Sequence, residues 1–180
     1  MKNLVGNCQT IDWQAIVDRL KNTEPMYKGP RHIGDNAIPG VLEIARMMEE
    51  AGYKTVADGG NMGWDMFAVT ADISDEFEKF VGAKKLSCWI SSVHPGHVAP
   101  WHWDTQDDEE AFTKIEQSVV RFHVHMEDTK PGHILIVEDE IYYNAKQGDV
   151  YQWPERVSWH AGSNCGVERK FIFNFFGTTI

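Results

Sequence analysis

The chain has 180 residues, 42% of them apolar and 24% charged, the size and balance of one folded domain with a single real core rather than of a disordered chain. Its 17 Lys and Arg stand against 27 Asp and Glu, and the formal net charge of −10 argues against nucleic-acid backbones and anionic membranes as partners, leaving a small-molecule or peptide substrate. No apolar run approaches the roughly 20 residues of a membrane span, Met1 to Trp13 lacks the apolar stretch of a secretory signal, and the scattered Cys8, Cys88 and Cys165 fit a reducing, cytoplasmic compartment better than a disulfide framework.

Taken from the N-terminus, Thr10 is placed to cap a helix carrying Ile11, Ala15, Ile16 and Leu20 on one side. Residues 29–39, rich in Gly and Pro, read as loop, and residues 41–51 as a second helix stopped by Gly52. Asp58-Gly-Gly-Asn61 is a turn, and Ser74 with Glu78 downstream suggests a short helix to Val81. The character changes near Lys85. Leu86 to Val93, Val119 to Met126, His133 to Val137, Gly148 to Trp153 and Lys170 to Phe176 are apolar or aromatic runs of strand length between turn signals. Residues 107–117 are acidic and helix-prone, an insert between two strands and a candidate lid. The pattern predicts one domain over residues 1–180: a mostly helical elaboration over 1–84 and a β core over 85–180, a sandwich or jelly roll with flanking helices.

Seven of the eight histidines follow residue 90. In His102-Trp103-Asp104 the first and third side chains of an extended segment point the same way, so an imidazole and a carboxylate can meet at one point. A divalent metal such as Fe(II) accepts that mixed donor set, and an ordinary His–Asp hydrogen bond accounts for it equally. His160 lies beyond the turn Gln152-Trp153-Pro154, and a jelly roll can bring such distant strand ends together. Two histidines and one carboxylate on one face of a metal form the facial triad of non-haem iron oxygenases, with open positions for cosubstrate and O₂. A histidine packed beside Trp159 is the plain alternative.

Arg169 opens the last apolar strand; pointing inward it needs an anion, and a carboxylate is its natural bidentate partner. Pointing outward it is a solvated strand end. Alternation puts Arg121, His123 and His125 on one face of their strand and Phe122 and Val124 on the other. A sheet covered on both sides accommodates both faces.

Four stretches, in order, resemble the aspartyl/asparaginyl β-hydroxylases of the 2-oxoglutarate- and Fe(II)-dependent oxygenase superfamily. Ser91-Ser-Val-His94-Pro-Gly, leading to His102, is similar to that family's Ser-x-x-His-Pro-Gly segment and first metal histidine. Val120-Arg121-Phe-His123-Val resembles its Leu-Arg-x-His-Leu strand. Gly148 to Trp153 with His160 resembles its glycine-containing strand and second metal histidine, and Arg169 falls where its distal arginine lies. The similar region runs from about Lys85 to Gly177.

The resemblance implies a double-stranded β-helix, the jelly roll shared with cupins, and Fe(II) held by His102 and His160, with Asp104 completing the His-x-Asp…His triad that most of the wider superfamily carries. It implies 2-oxoglutarate bound at its distal carboxylate by Arg169 with Ser91 nearby, and Arg121 and His123 around its other carboxylate. The reaction it implies consumes O₂ and hydroxylates an unactivated C–H bond of an amino acid, a peptide or protein residue or a small metabolite, releasing succinate and CO₂. Two departures stand out. Asp104 supplies a carboxylate that the β-hydroxylases of epidermal-growth-factor-like domains lack, and the insert Thr105 to Ser118 is longer than the family's. A cupin-like dioxygenase or isomerase that makes no use of 2-oxoglutarate, and a non-catalytic metal- or ligand-binding jelly roll, remain the alternatives. His94, His97, His125 and His133 read as hydrogen-bonding residues rather than ligands.

Overall fold

The computed structural model describes residues 3–29, 46–103, 119–154 and 158–179. Asp104, the insert 105–118, most of the loop expected over 29–39 and the first part of the helix expected over 41–51 lie outside the described residues.

Among the described residues, eleven strands form two antiparallel sheets. They are β1 (Asn3–Asn7), β2 (Tyr27–Lys28), β3 (Asp65–Ala68), β4 (Ala83–Val93), β5 (Val98–His102), β6 (Val119–His125), β7 (His133–Val137), β8 (Glu140–Tyr142), β9 (Asp149–Gln152), β10 (His160–Asn164) and β11 (Lys170–Thr179). The larger sheet has the order β1-β9-β6-β11-β4-β3-β2 and the smaller β5-β10-β7-β8. The architecture is mainly β with few helices, consistent with a sandwich of the jelly-roll type. Residues 1–84, expected to be mostly helical, supply helices and also β1, β2 and β3 of the larger sheet.

Two helices cover one face of the larger sheet, α1 (Trp13–Leu20) and α2 (Ala71–Val81). The cap of α1 is Asp12, not Thr10: its carboxylate accepts the Ala15 N–H at 3.0 Å and satisfies one of the donors left over in the first turn. The helix buries Trp13, Ile16, Val17 and Leu20, while Ala15 is exposed. α2 begins at Ala71, ahead of Ser74, and ends at Gly82, whose φ of +65° suits glycine and whose N–H returns to Glu78 O at 2.9 Å. Phe77 of α2 sits at the centre of this layer, 4.8 Å from the Phe173 ring and 5.0 Å from Phe175.

Register then decides which side chains face the other way. β11 pairs with β6 so that Asn174 lies opposite His123 and Phe176 opposite Arg121; with β4 it sets Ile172 opposite Ser91 and Lys170 opposite Val93. β6 pairs His123 with Tyr151. Side chains alternate along each strand, so Phe122, Val124, Phe171, Phe173 and Phe175 pack under the helices. Arg121, His123, His125, Lys170 and Asn174 turn toward the smaller sheet, where Tyr142 meets the His123 ring at 4.8 Å. Both faces of the larger sheet are covered, which is how one strand buries an aromatic set and a cationic set at once.

Candidate active site

β5 and β10 are neighbours in the smaller sheet, and their register sets His160 directly opposite His102. Their rings lie 4.2 Å apart between centroids, and both residues are buried. Each imidazole is tied in the same way: His102 Nδ1 donates to Pro100 O at 2.6 Å, and His160 Nδ1 donates to Ser158 O at 3.0 Å. A carbonyl only accepts, so the proton is on Nδ1 and the lone pair on Nε2 in both rings. Metal-binding histidines are held in one tautomer by a second hydrogen bond of this type. The two residues fit a divalent ion as nitrogen ligands. Among the described residues no group of three His, Cys, Asp or Glu is placed to hold a metal; the third ligand expected from sequence, Asp104, lies outside the described residues.

Two tryptophans contact this pair, and a third packs in a neighbouring cluster. Trp64 stacks on His102 with centroids 5.9 Å apart and planes inclined 16°. Trp153 meets His160 edge-on at 4.7 Å. Trp159 packs against Trp101 and Trp103 at 6.1 and 4.6 Å.

The cations at the start of β11 separate. Arg169 lies with Phe171 and Phe173 on the helix-covered side: Nε donates to Ser92 Oγ at 2.8 Å, Nη2 pairs with the Asp65 carboxylate, and the guanidinium lies 5.2 and 5.1 Å from the Phe67 and Phe171 rings. Burial pulls its pKa down while Asp65 pushes it up. Asp65 also accepts from His94 Nε2 at 2.8 Å. Lys170, which sequence reasoning passed over, faces the space between the sheets. Its ammonium is buried, donates to Ile134 O at 2.5 Å, and is pushed down to about 7 by desolvation. The signal was present in Arg169-Lys-Phe-Ile-Phe-Asn-Phe-Phe176. Its odd positions after Arg169 are all Phe, a greasy face, whereas the face bearing Asn174 is mixed and Lys170 shares it.

Of the other residues singled out from sequence, Ser91 accepts from Asn174 Nδ2 at 3.0 Å on the inner face. Arg121 is buried with its guanidinium 3.3 Å from the Trp153 ring centroid and 4.6 Å from that of Phe176. His123 is fully buried, accepts the Trp153 indole N–H on Nδ1 at 2.6 Å, and stacks on Tyr151. Desolvation first, then His125 and Arg121, hold its pKa well below the ordinary histidine value. His125 lies 3.4 Å from Thr129 Oγ1, and His133 Nε2 donates to Glu168 O at 2.9 Å. A cavity of about 600 Å³ opens beside Trp64 and is lined also by Asp65, His94, His97, Lys28 and Arg169.

No family model matches the sequence, and no curated protein matches it. A crystal structure of a prolyl-4-hydroxylase from Pseudomonas putida is similar over 93% of this chain and 100% of that one, with 12% sequence identity and a TM-score of 0.44. So distant a likeness establishes neither a common fold nor a common activity.

Proposed function

We propose that this protein is an Fe(II)- and 2-oxoglutarate-dependent oxygenase with a double-stranded β-helix core, related to the aspartyl/asparaginyl β-hydroxylases and hydroxylating an amino acid, a peptide or protein residue or a small metabolite. One observation carries the reading: two imidazoles paired across adjacent strands, each tied through Nδ1 to a carbonyl, which makes Nε2 the nitrogen that would coordinate a metal. His102 and His160 hold the ion, with Asp104 as the third ligand of the triad.

Iron, when bound, would activate O₂ as the oxidant while 2-oxoglutarate serves as co-reductant, one oxygen atom passing into succinate as CO₂ leaves and the other into the hydroxylated C–H bond. The chain's own residues bind and orient. Lys170 takes the role that the resemblance assigned to Arg169, because, of these two neighbours, it is the one directed between the sheets, and a distal carboxylate there gives it a charge partner. Ser91 and Asn174 flank it on the same face, and Arg121 and His123 serve the other carboxylate. Arg169 instead lines the cavity beside Trp64, whose volume suits a small substrate or one side chain of a peptide and whose Trp64 wall rests on His102. Trp64, Trp153 and Tyr142 exclude water from the interior.

The test is succinate formation by the purified protein with Fe(II), 2-oxoglutarate and O₂. Succinate above the enzyme-free control, lost on omission of iron or replacement of His102 or Asp104 by Ala, is the expected result. Iron binding without any turnover of 2-oxoglutarate would reject this reading in favour of a cupin-like activity, and absence of metal binding would leave a binding module.

A further inference from the structure

Trp153 sits where three of the site's elements meet. Its backbone N–H donates to Arg121 O at 2.9 Å, which seats it at the end of β9 beside β6. Its ring then lies under the Arg121 guanidinium at 3.3 Å, edge-on to His160 at 4.7 Å, and its indole N–H reaches His123 Nδ1 at 2.6 Å. An indole nitrogen only donates, so His123 Nδ1 must accept. A neutral imidazole that accepts on Nδ1 carries its proton on Nε2. That Nε2 is buried and has no hydrogen-bond partner among the described residues. A buried donor left unmet is costly, and a ligand oxygen placed between the sheets removes that cost.

We infer that Trp153 is a positioning residue: its indole N–H fixes His123 as an Nε2–H donor, so that the interior offers a hydrogen bond to an acceptor oxygen of the bound oxo-acid and rejects a donor there. The inference rests on the oxygenase reading for the identity of the ligand but not for the tautomer. The suppressed basicity of His123 agrees with a neutral ring that keeps this single donor. Arg121, held flat on the same indole, adds a cation beside the His123 donor.

Two measurements test it. In the metal-free, nitrogen-15-labelled wild-type protein, a scalar coupling across the hydrogen bond between Trp153 Nε1 and His123 Nδ1 is expected, with the His123 proton on Nε2. Absence of that coupling, or a proton on Nδ1, overturns the proposal. The second is a double-mutant cycle on 2-oxoglutarate affinity with Mn(II) as the metal. Trp153→Phe keeps a ring and loses the N–H, and it weakens binding roughly fivefold. His123→Leu weakens it by about the same or more, and Trp153→Phe then adds little in the His123→Leu background. His123→Gln, whose amide accepts from the indole and donates on its far side, retains affinity within about threefold. Additive losses from Trp153→Phe and His123→Leu would mean that Trp153 does not act through His123 and would overturn the proposal. If the wild type itself fails to bind 2-oxoglutarate, the oxygenase reading falls, while the coupling still decides the tautomer.

Discussion

At the start of β11 two adjacent cations leave the chain on opposite faces, and their substitutions are expected to separate accordingly. Lys170→Met removes a charged donor from between the sheets and should weaken 2-oxoglutarate binding about 10- to 100-fold with the metal affinity retained. Arg169→Ala should leave that affinity within about threefold. It costs stability instead, about 1.5–3 kcal/mol, because buried Asp65 loses a charged hydrogen-bond partner and keeps only His94. Calorimetric titration of the two variants checks the pair, and equal losses of cosubstrate affinity would return the role to Arg169. The candidate site residues differed in legibility for physical reasons. His102 and His160 were nominated by type and position. The hydrogen bonds that select their tautomers run to Pro100 and Ser158 carbonyls, which no side-chain pattern announces. Arg169 drew attention as the stronger carboxylate binder, yet strand parity, not side-chain chemistry, decides which neighbour turns inward.

Strands appeared in sequence where their residues were long, apolar and branched or aromatic. His133–Val137 is bounded as expected, and β4, β6, β9 and β11 differ from their expected ranges only at their ends. The missed strands are short or poor in such residues. β10 reads His-Ala-Gly-Ser-Asn, with no β-branched or large apolar side chain, and exists because it pairs with β5 and β7 on both sides. β5 carries Pro100, which demotes a strand reading, and β3 and β2 are four and two residues long. The helices were visible by periodicity but their starts were not, because Thr10 and Asp12 are both competent caps and packing of Trp13 chooses between them. The helix layer carries its own expectation. Phe77→Ala empties the space between Phe173 and Phe175 and should destabilise by about 3–5 kcal/mol in chemical denaturation. Metal affinity under native conditions should not change, since the histidine pair lies on the other side of the larger sheet. A parallel loss of metal binding would show that the two layers are coupled.

Across the whole molecule, an acidic chain buries a set of basic side chains between its sheets. The net charge of −10 is spread over the chain, while Arg121, His123, His125 and Lys170 are all buried on the inner face. Holding Lys170 there without a carboxylate is costly, and the cost depends on pH. Its pKa is 10.5 as a free side chain and about 7 in the fold, so between those values the unfolded chain binds more protons. Stability contributed through this group therefore rises from about pH 7 toward 10.5 and is lost as pH falls to about 7. Ligand-free Lys170→Met protein should be more stable than wild type near pH 6, with the gap closing at pH 9 to 10; thermal melts across that range check it, and a constant gap would show that Lys170 keeps its ordinary basicity. No helix among the described residues is long and apolar enough to cross a membrane.

The oxygenase chemistry requires His102 and His160 to share one metal ion, and a titration of metal-free protein with Mn(II), followed by calorimetry on wild type, His102→Ala and His160→Ala, examines that sharing. One ion per chain for the wild type and at least a ~100-fold loss of affinity in each single variant, with melting temperatures showing that both remain folded, is the expected result. Undiminished affinity in either variant would contradict it.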